Sequence, residues 1–197
     1  MRYVGWLFPL LLWGQYRVKA LVSFPSQDTI SPVQLEMFLS FSALRYDMKG
    51  SHREKVYSIS YLFSDGKAYL IDHQAKKAYL VTPTPPSPLP LLKAVFVRNH
   101  QISGYQAEEW KLDYPDLQLR VIWTRDFPFE WKAWDRFLEP DRIGAAARYF
   151  EKGIPLLIEQ YEKGLLTWVL EVQDIQPYKE PLASEPPYPL SPWIGTD

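Results

Sequence analysis

Two short runs nearly repeat each other: Lys67-Ala68-Tyr69-Leu70-Ile71 and Lys77-Ala78-Tyr79-Leu80-Val81. Each has the length and the aromatic and aliphatic content of a strand. Asp65-Gly66 before the first run signals a tight turn, because glycine takes positive φ at no steric cost. The polar link Asp72-His73-Gln74-Ala75-Lys76 lets the second run fold back on the first. An isolated hairpin is marginal in water, so this pair must belong to a larger sheet.

Strand patterns continue on both sides. Upstream, Tyr57, Ile59, Tyr61 and Phe63 alternate with Ser58 and Ser60. Before a turn expected at 47–51, residues 35–46 place Leu35, Met37, Leu39, Phe41 and Ala43 at period two. One long strand fits best, with helix as competitor, since Leu35, Phe38 and Leu39 also suit helical spacing. Downstream, residues 83–90 hold five prolines and read as a stiff extended connector. Residues 91–97 fit a strand or a short helix. After a bend at 102–105, residues 106–113 form a strand with Trp110 and Leu112 on one face. Leu117, Leu119, Val121 and Trp123 then alternate with Gln118 and Arg120.

The period changes after Pro128. Trp131, Trp134 and Leu138 fit a helix over 129–138. Ile143, Ala146, Ala147 and Phe150 fit a second over 142–151, with Asp141 as its cap and Gly153 as its left-handed stop. Strands return at 156–161 and 165–175 around Glu162-Lys163-Gly164. The expected fold is mainly β (α+β): a curved antiparallel sheet of about eight to ten strands, forming an unclosed half-barrel with two short helices as a lid.

Arg2 and the apolar run from Val4 to Trp13 suit a signal peptide over 1–20, with Val18-Lys19-Ala20 before the cleavage point. An N-terminal strand or short buried helix is the alternative. A lead-in over 21–34, a single domain over 35–176 and a Pro-rich tail over 177–197, extended or disordered, complete the organisation. No transmembrane span is expected in the mature chain.

Composition excludes several functions. A net charge of −1 offers no footprint for nucleic acid. The absence of cysteine removes disulfides, thiol catalysis and cysteine metal sites. His52, His73 and His100 are scattered beside expected turns, so neither a metal site nor a cofactor is expected. Glu108 and Glu109 point to opposite sides of a strand, and Asp135, Glu139 and Asp141 suit solvent-facing charge and helix capping. The chain reads as non-catalytic.

Aromatic residues reach 16%. Tyr57, Tyr61, Tyr69, Tyr79, Trp110, Trp123, Trp131, Trp134 and Trp168 fall on faces that turn inward. They form either a packed core or the lining of an apolar cavity between sheet and lid.

The hairpin text, Asp65-Gly66-Lys67 through Val81, resembles that of the periplasmic outer-membrane lipoprotein carrier and receptor proteins. The order of leader, long first strand, meander and crossing helices is similar too. A family of secreted bacterial proteins of unknown function resembles the chain over a longer stretch. It shares segments like Ile102-Ser103-Gly104-Tyr105-Gln106-Ala107-Glu108-Glu109-Trp110, Trp123-Thr124-Arg125-Asp126-Phe127-Pro128 and Lys152-Gly153-Ile154-Pro155-Leu156. Some members carry cysteine at the place of Ala107, so no thiol role carries over. These resemblances imply a half-barrel and a periplasmic or secreted location. The expected function is binding of a hydrophobic ligand, a lipid or acyl chain, in the cavity. The alternative is an interaction scaffold with a packed core that docks an envelope protein partner through an edge strand or the tail.

Overall fold

The structure, a computed structural model, describes residues 15–27, 30–40, 42–52, 55–64, 66–81, 89–137 and 142–192; the side chains of 51, 52, 55–57 and 135–137 also lie outside that description. The strands are β1 (Tyr16–Ser23), β2 (Val33–Leu39), β3 (Ala43–His52), β4 (Lys55–Ser64), β5 (Lys67–Asp72), β6 (Lys77–Val81), β7 (Lys93–Ile102), β8 (Tyr105–Asp113), β9 (Gln118–Thr124), β10 (Ile154–Glu162), β11 (Leu165–Pro177) and β12 (Leu190–Ser191). They form one sheet in the order β12-β6-β5-β4-β3-β2-β1-β11-β10-β9-β8-β7. Every pairing is antiparallel except β12 on β6. Among the described residues the sheet does not close, and β7 is left as an edge. The protein is therefore mainly β, with one unclosed antiparallel sheet and few helices.

The centre of the sheet belongs to β1, paired with β2 on one side and β11 on the other. Its residues alternate between buried and half-buried, with Tyr16, Val18, Ala20 and Val22 inward. Residues 16–20, which the sequence assigns to a leader, are thus five of the eight residues of the central strand. The described sheet therefore includes residues ahead of 35, from Tyr16 on.

The long strand over 35–46 is two strands, β2 and β3, joined at Ser40. Ser40 holds this turn with its own side chain: its Oγ accepts from Ala43 N at 2.9 Å and donates to Ala43 O at 2.8 Å. The turn expected at 47–51 lies inside β3, where Asp47, Met48, Lys49 and Gly50 pair along β4. The hairpin β5–β6 forms as expected, with Lys76 at φ +52° closing its turn. In the β10–β11 turn, Lys163 and Gly164 both take positive φ, the pattern that matches the twist of a two-residue hairpin.

The first expected helix contracts to a 3-10 turn, Lys132–Phe137. The second is α1 (Arg142–Phe150); Asp141, its expected cap, and Leu138 lie outside the described residues. Small residues let α1 approach the sheet closely: Gly144, Ala145, Ala146 and Ala147 are all buried, and the helix packs on β9, β10 and the 3-10 turn. The left-handed residue after it is Glu151, at φ +60°, not Gly153. Gly153 answers a tighter demand. At φ +104°, a Cβ there would collide with the carbonyl oxygen of Thr124 and come within 2.5 Å of Trp123 Nε1.

The Pro-rich tail is a strap rather than a free segment. Tyr178 N donates to Gln15 O, Ser64 Oγ donates to Ser184 O, and Leu190–Ser191 pairs with Ala78 and Tyr79. Leu182 and Tyr188 pack on a second small core of Ala43, Leu62, Tyr69, Ile71 and Ala78.

The registers divide the sheet into two wings flanking β1. Across one wing runs the row Val18, Met37, Tyr46, Tyr61, Leu70, Tyr79. Across the other runs Val22, Leu170, Ile158, Val121, Trp110, Phe96. Both rows lie on the face that holds the main core, called the inner face below. The wings are covered differently. Helix α1 sits on the inner face of β9 and β10, whereas the strap sits on the outer face of the β3–β6 wing.

Candidate functional site

Under the lid the aromatic residues are packed against one another. Trp123 stacks on Phe150 with ring centres 4.6 Å apart, and Trp131 meets Phe129 edge-on at 4.9 Å. Their indole N–H groups are satisfied by backbone: Trp123 Nε1 donates to Lys152 O and Trp131 Nε1 to Gly153 O, each at 2.7 Å. Buried indoles with such partners are structural anchors. Trp134 and Trp168 are buried in the same core, and the Arg142 guanidinium lies 5.5 Å over the Trp168 ring. Trp110 is half-buried between Phe96, Tyr149 and Phe150, and its Nε1 donates to Glu108. Tyr114 donates to Ala145 O, and burial pushes its hydroxyl up to about 12. Of the five tryptophans expected to line a cavity, Trp123, Trp131, Trp134 and Trp168 are buried in the main core and Trp110 is half-buried against it.

The other wing differs. Tyr46, Tyr61, Leu70 and Tyr79 form an adjacent row on the inner face of β3–β6, and all four are half-buried. Tyr61 stacks near Phe63, and Tyr46 meets Phe63 edge-on at 6.0 Å. Met48, one step along β3, packs at the margin of the same core. The row is aromatic and largely apolar, and the Tyr46 hydroxyl is itself buried. Of the tyrosines that the sequence singles out, Tyr61 and Tyr79 belong to it. Tyr69 does not: it pairs with Leu80 and is buried on the outer face under the strap. The side chain of Tyr57 lies outside the described residues. Tyr46 and Leu70 are additions; reading 47–51 as strand would have extended the alternation from Leu44 through Tyr46 to Met48 and exposed the first of them.

The carboxylates also rearrange the sequence reading. Glu109 is not solvent-facing but only 4% exposed, on the outer face of β8. Arg120 Nε donates to its Oε1 at 2.7 Å and Arg98 Nε to its Oε2 at 2.9 Å, while His100 Nε2 lies 2.6 Å from Oε2. Arg120 also reaches Glu159 at 3.1 Å, and Tyr161 donates to Glu159. The bond from Arg120 is the main reason the Glu109 carboxyl is held down to about 2; His100 and Arg98 add to it, against burial. His100 therefore stands in strand β7 beside a carboxylate, close to the β7–β8 turn. With both Glu109 oxygens occupied by cations, the cluster is built to stay ionised. Glu108, on the opposite face, is separate from it, as the alternation requires. His73 sits in the β5–β6 turn, 2.6 Å from Ser60 Oγ and 3.3 Å from Tyr188 OH.

A shallow pocket of about 150 Å³ opens beside Asn99, Gln106, Glu108, Trp123, Arg125 and Asp126. At that size it is too small for an acyl chain. Among the described residues no group of three or more histidine and carboxylate side chains could hold a metal ion, and no helix is long and apolar enough to cross a membrane.

No known family profile matches the chain, and no curated protein matches it in sequence. Solved structures do. An uncharacterized conserved protein from Thermus thermophilus overlays at TM-score 0.54 with 6% identity, over 86% of this chain and 82% of that one. MucB, solved in complex with MucA(peri), overlays at TM-score 0.51 with 12% identity; the match spans 86% of this chain and about half, 52%, of MucB. A LolA superfamily protein from Nitrosomonas europaea overlays at TM-score 0.39 and 8% identity, over 86% and 89% of the two chains, a level that supports no inference. At these identities the first two likenesses establish a common fold and nothing about activity.

Proposed function

We propose that this is a non-catalytic binding protein, exported to the bacterial envelope, which holds a hydrophobic ligand against the inner face of its β3–β6 wing. The observation that carries the reading is the half-buried row Tyr46, Tyr61, Leu70 and Tyr79, on a wing whose inner face α1 does not cover. A packed lid half supplies rigidity, and the half-buried aromatic row supplies apolar area. Among the described residues the sheet does not close, and the row lies beyond the strands that α1 packs on. Export draws on the apolar N-terminal run between Val4 and Trp13. Since β1 begins at Tyr16, a leader must end at or before Gln15 for the central strand to survive its removal.

Native mass spectrometry of the protein, purified from its own envelope without detergent, tests this. A reproducible adduct of lipid mass that departs on organic extraction is the expected result. A bare mass, unchanged after incubation with envelope lipids, overturns it.

A further inference from the structure

The edge strand β7 combines three features. Its outer side has no strand partner among the described residues, so the backbone donors and acceptors of alternate residues along this ten-residue strand have no ladder partner. Three consecutive apolar side chains on it are exposed: Val95 at 37%, Phe96 at 45% and Val97 at 40%. Its outer face is also cationic. Lys93, Val95 and Arg98 share that face with Lys111 of β8, by register. Lys93 and Lys111 are exposed and make no ion pair with a described residue, and Arg98 uses only its Nε, on Glu109 and His100. With 64% of its side chain exposed, the terminal nitrogens of Arg98 stand ready for a carboxylate. Asp113 faces Lys93 across the ladder, but its carboxylate accepts from Gln118.

Edge strands of soluble proteins are usually blunted, and lysines, arginines and bulges are the common devices. β7 has the charges, and a register shift at Val97. A purely protective edge, however, does not expose a valine-phenylalanine-valine run between its cations. We propose that β7 is a docking edge for an extended acidic segment of a partner protein, which adds a strand to the sheet, sets apolar side chains against Ala94 and Phe96, and sets carboxylates against Lys93, Arg98 and Lys111. Main-chain bonds hold the added strand, and the alternation of apolar and acidic residues selects it. The site is on the opposite wing from the aromatic row and does not depend on it.

The test uses the full chain and two fluorescein-labelled peptides, (Val-Glu)4-Val and (Val-Lys)4-Val. The expected result is saturable binding of the glutamate peptide, at least tenfold weaker binding of the lysine peptide, and slower hydrogen exchange confined to residues 93–102. The double variant Val95→Glu, Val97→Glu is expected to weaken the glutamate peptide at least tenfold. Leu165→Glu, at the exposed β10–β11 turn, is expected to leave it unchanged and controls for surface stickiness. Because Val95 and Val97 are already exposed, both variants keep the wild-type circular dichroism. No binding of the glutamate peptide, equal binding of both peptides, or less than a twofold effect of the double variant overturns the proposal. So does a wild-type dimer in sedimentation that the double variant splits, since the occupant is then a second copy. The lipid adduct is read on the same double variant and is expected unchanged, so either reading can fail alone.

Discussion

The two wings of the sheet are covered on opposite faces. On the β7–β11 side, α1 and the 3-10 turn occupy the inner face, and the outer face carries the Glu109 ion cluster. On the β2–β6 side, the C-terminal strap occupies the outer face, and the inner face keeps its half-buried tyrosines. Their edges differ in the same sense. β6 is capped by Leu190–Ser191, while β7 is bare among the described residues. Among the described residues, one wing thus carries a half-buried aromatic row on its inner face and the other a cationic edge. Each covering element is dedicated to its own wing, which allows the two to be disturbed independently.

The sharpest break comes from the lid wing. Gly153→Ala puts a methyl group into Thr124 O and the Trp123 indole at a φ that side chains rarely adopt. Overpacking and backbone strain together are expected to cost about 3 kcal/mol or more. Urea denaturation measures this, and exchange protection is expected to fall first in β9 and β10.

Next in size is Glu109→Gln. Folding lowers this carboxyl from an ordinary 4.5 to about 2, so its contribution is present above pH 4.5 and is lost as pH falls toward 2. The shift corresponds to about 3 kcal/mol at neutral pH, an upper figure because water reaches Arg98. The variant is expected to be less stable than wild type at pH 7, with the gap shrinking to about a quarter at pH 2.5, as urea midpoints at the two values will read. An equal gap at both values would mean that the cluster stabilises by packing alone.

Deleting residues 178–197 tests the other wing. The strap packs Leu182 and Tyr188 on the second core and Tyr178 edge-on to Phe38 at 5.1 Å, but must be ordered to do so. A net loss of about 2 kcal/mol is expected, with faster exchange in β5 and β6 and none in β8 or β9. Uniform acceleration across both wings would break the claim that the coverings act separately.

What was legible in the sequence divides along physical lines. Strands that alternate cleanly, such as β4 and β9, and turns with glycine, such as Lys163-Gly164, could be read directly. The β2–β3 turn was not, because Ser40 closes it with a side-chain hydroxyl and no glycine or proline marks it. β1 was obscured by the apolar run just before it, and the strap by prolines that have no period. Among the site residues, Tyr69 and Tyr79 hold equal places in the repeated runs yet face opposite sides. The runs pair so that Tyr69 meets Leu80 and Tyr79 meets Leu70, a consequence of the four-residue turn between them that side-chain spelling alone does not reveal.

That opposition also yields the smallest and most discriminating test. Tyr61→Ala with Tyr79→Ala removes two half-buried rings from the inner face, and a stability loss of only about 1–2 kcal/mol is expected because neither is a core residue. Tyr69→Ala removes a fully covered ring from the outer face and is expected to cost more, about 3 kcal/mol. Ligand retention should rank the other way: the double variant loses at least four-fifths of any lipid adduct, and Tyr69→Ala keeps it. Stability and retention falling together in both variants would place the ligand's hold in the fold as a whole. Opposite rankings place it on the inner face of one wing, with tyrosines of identical local sequence acting as core on one side and as binding surface on the other.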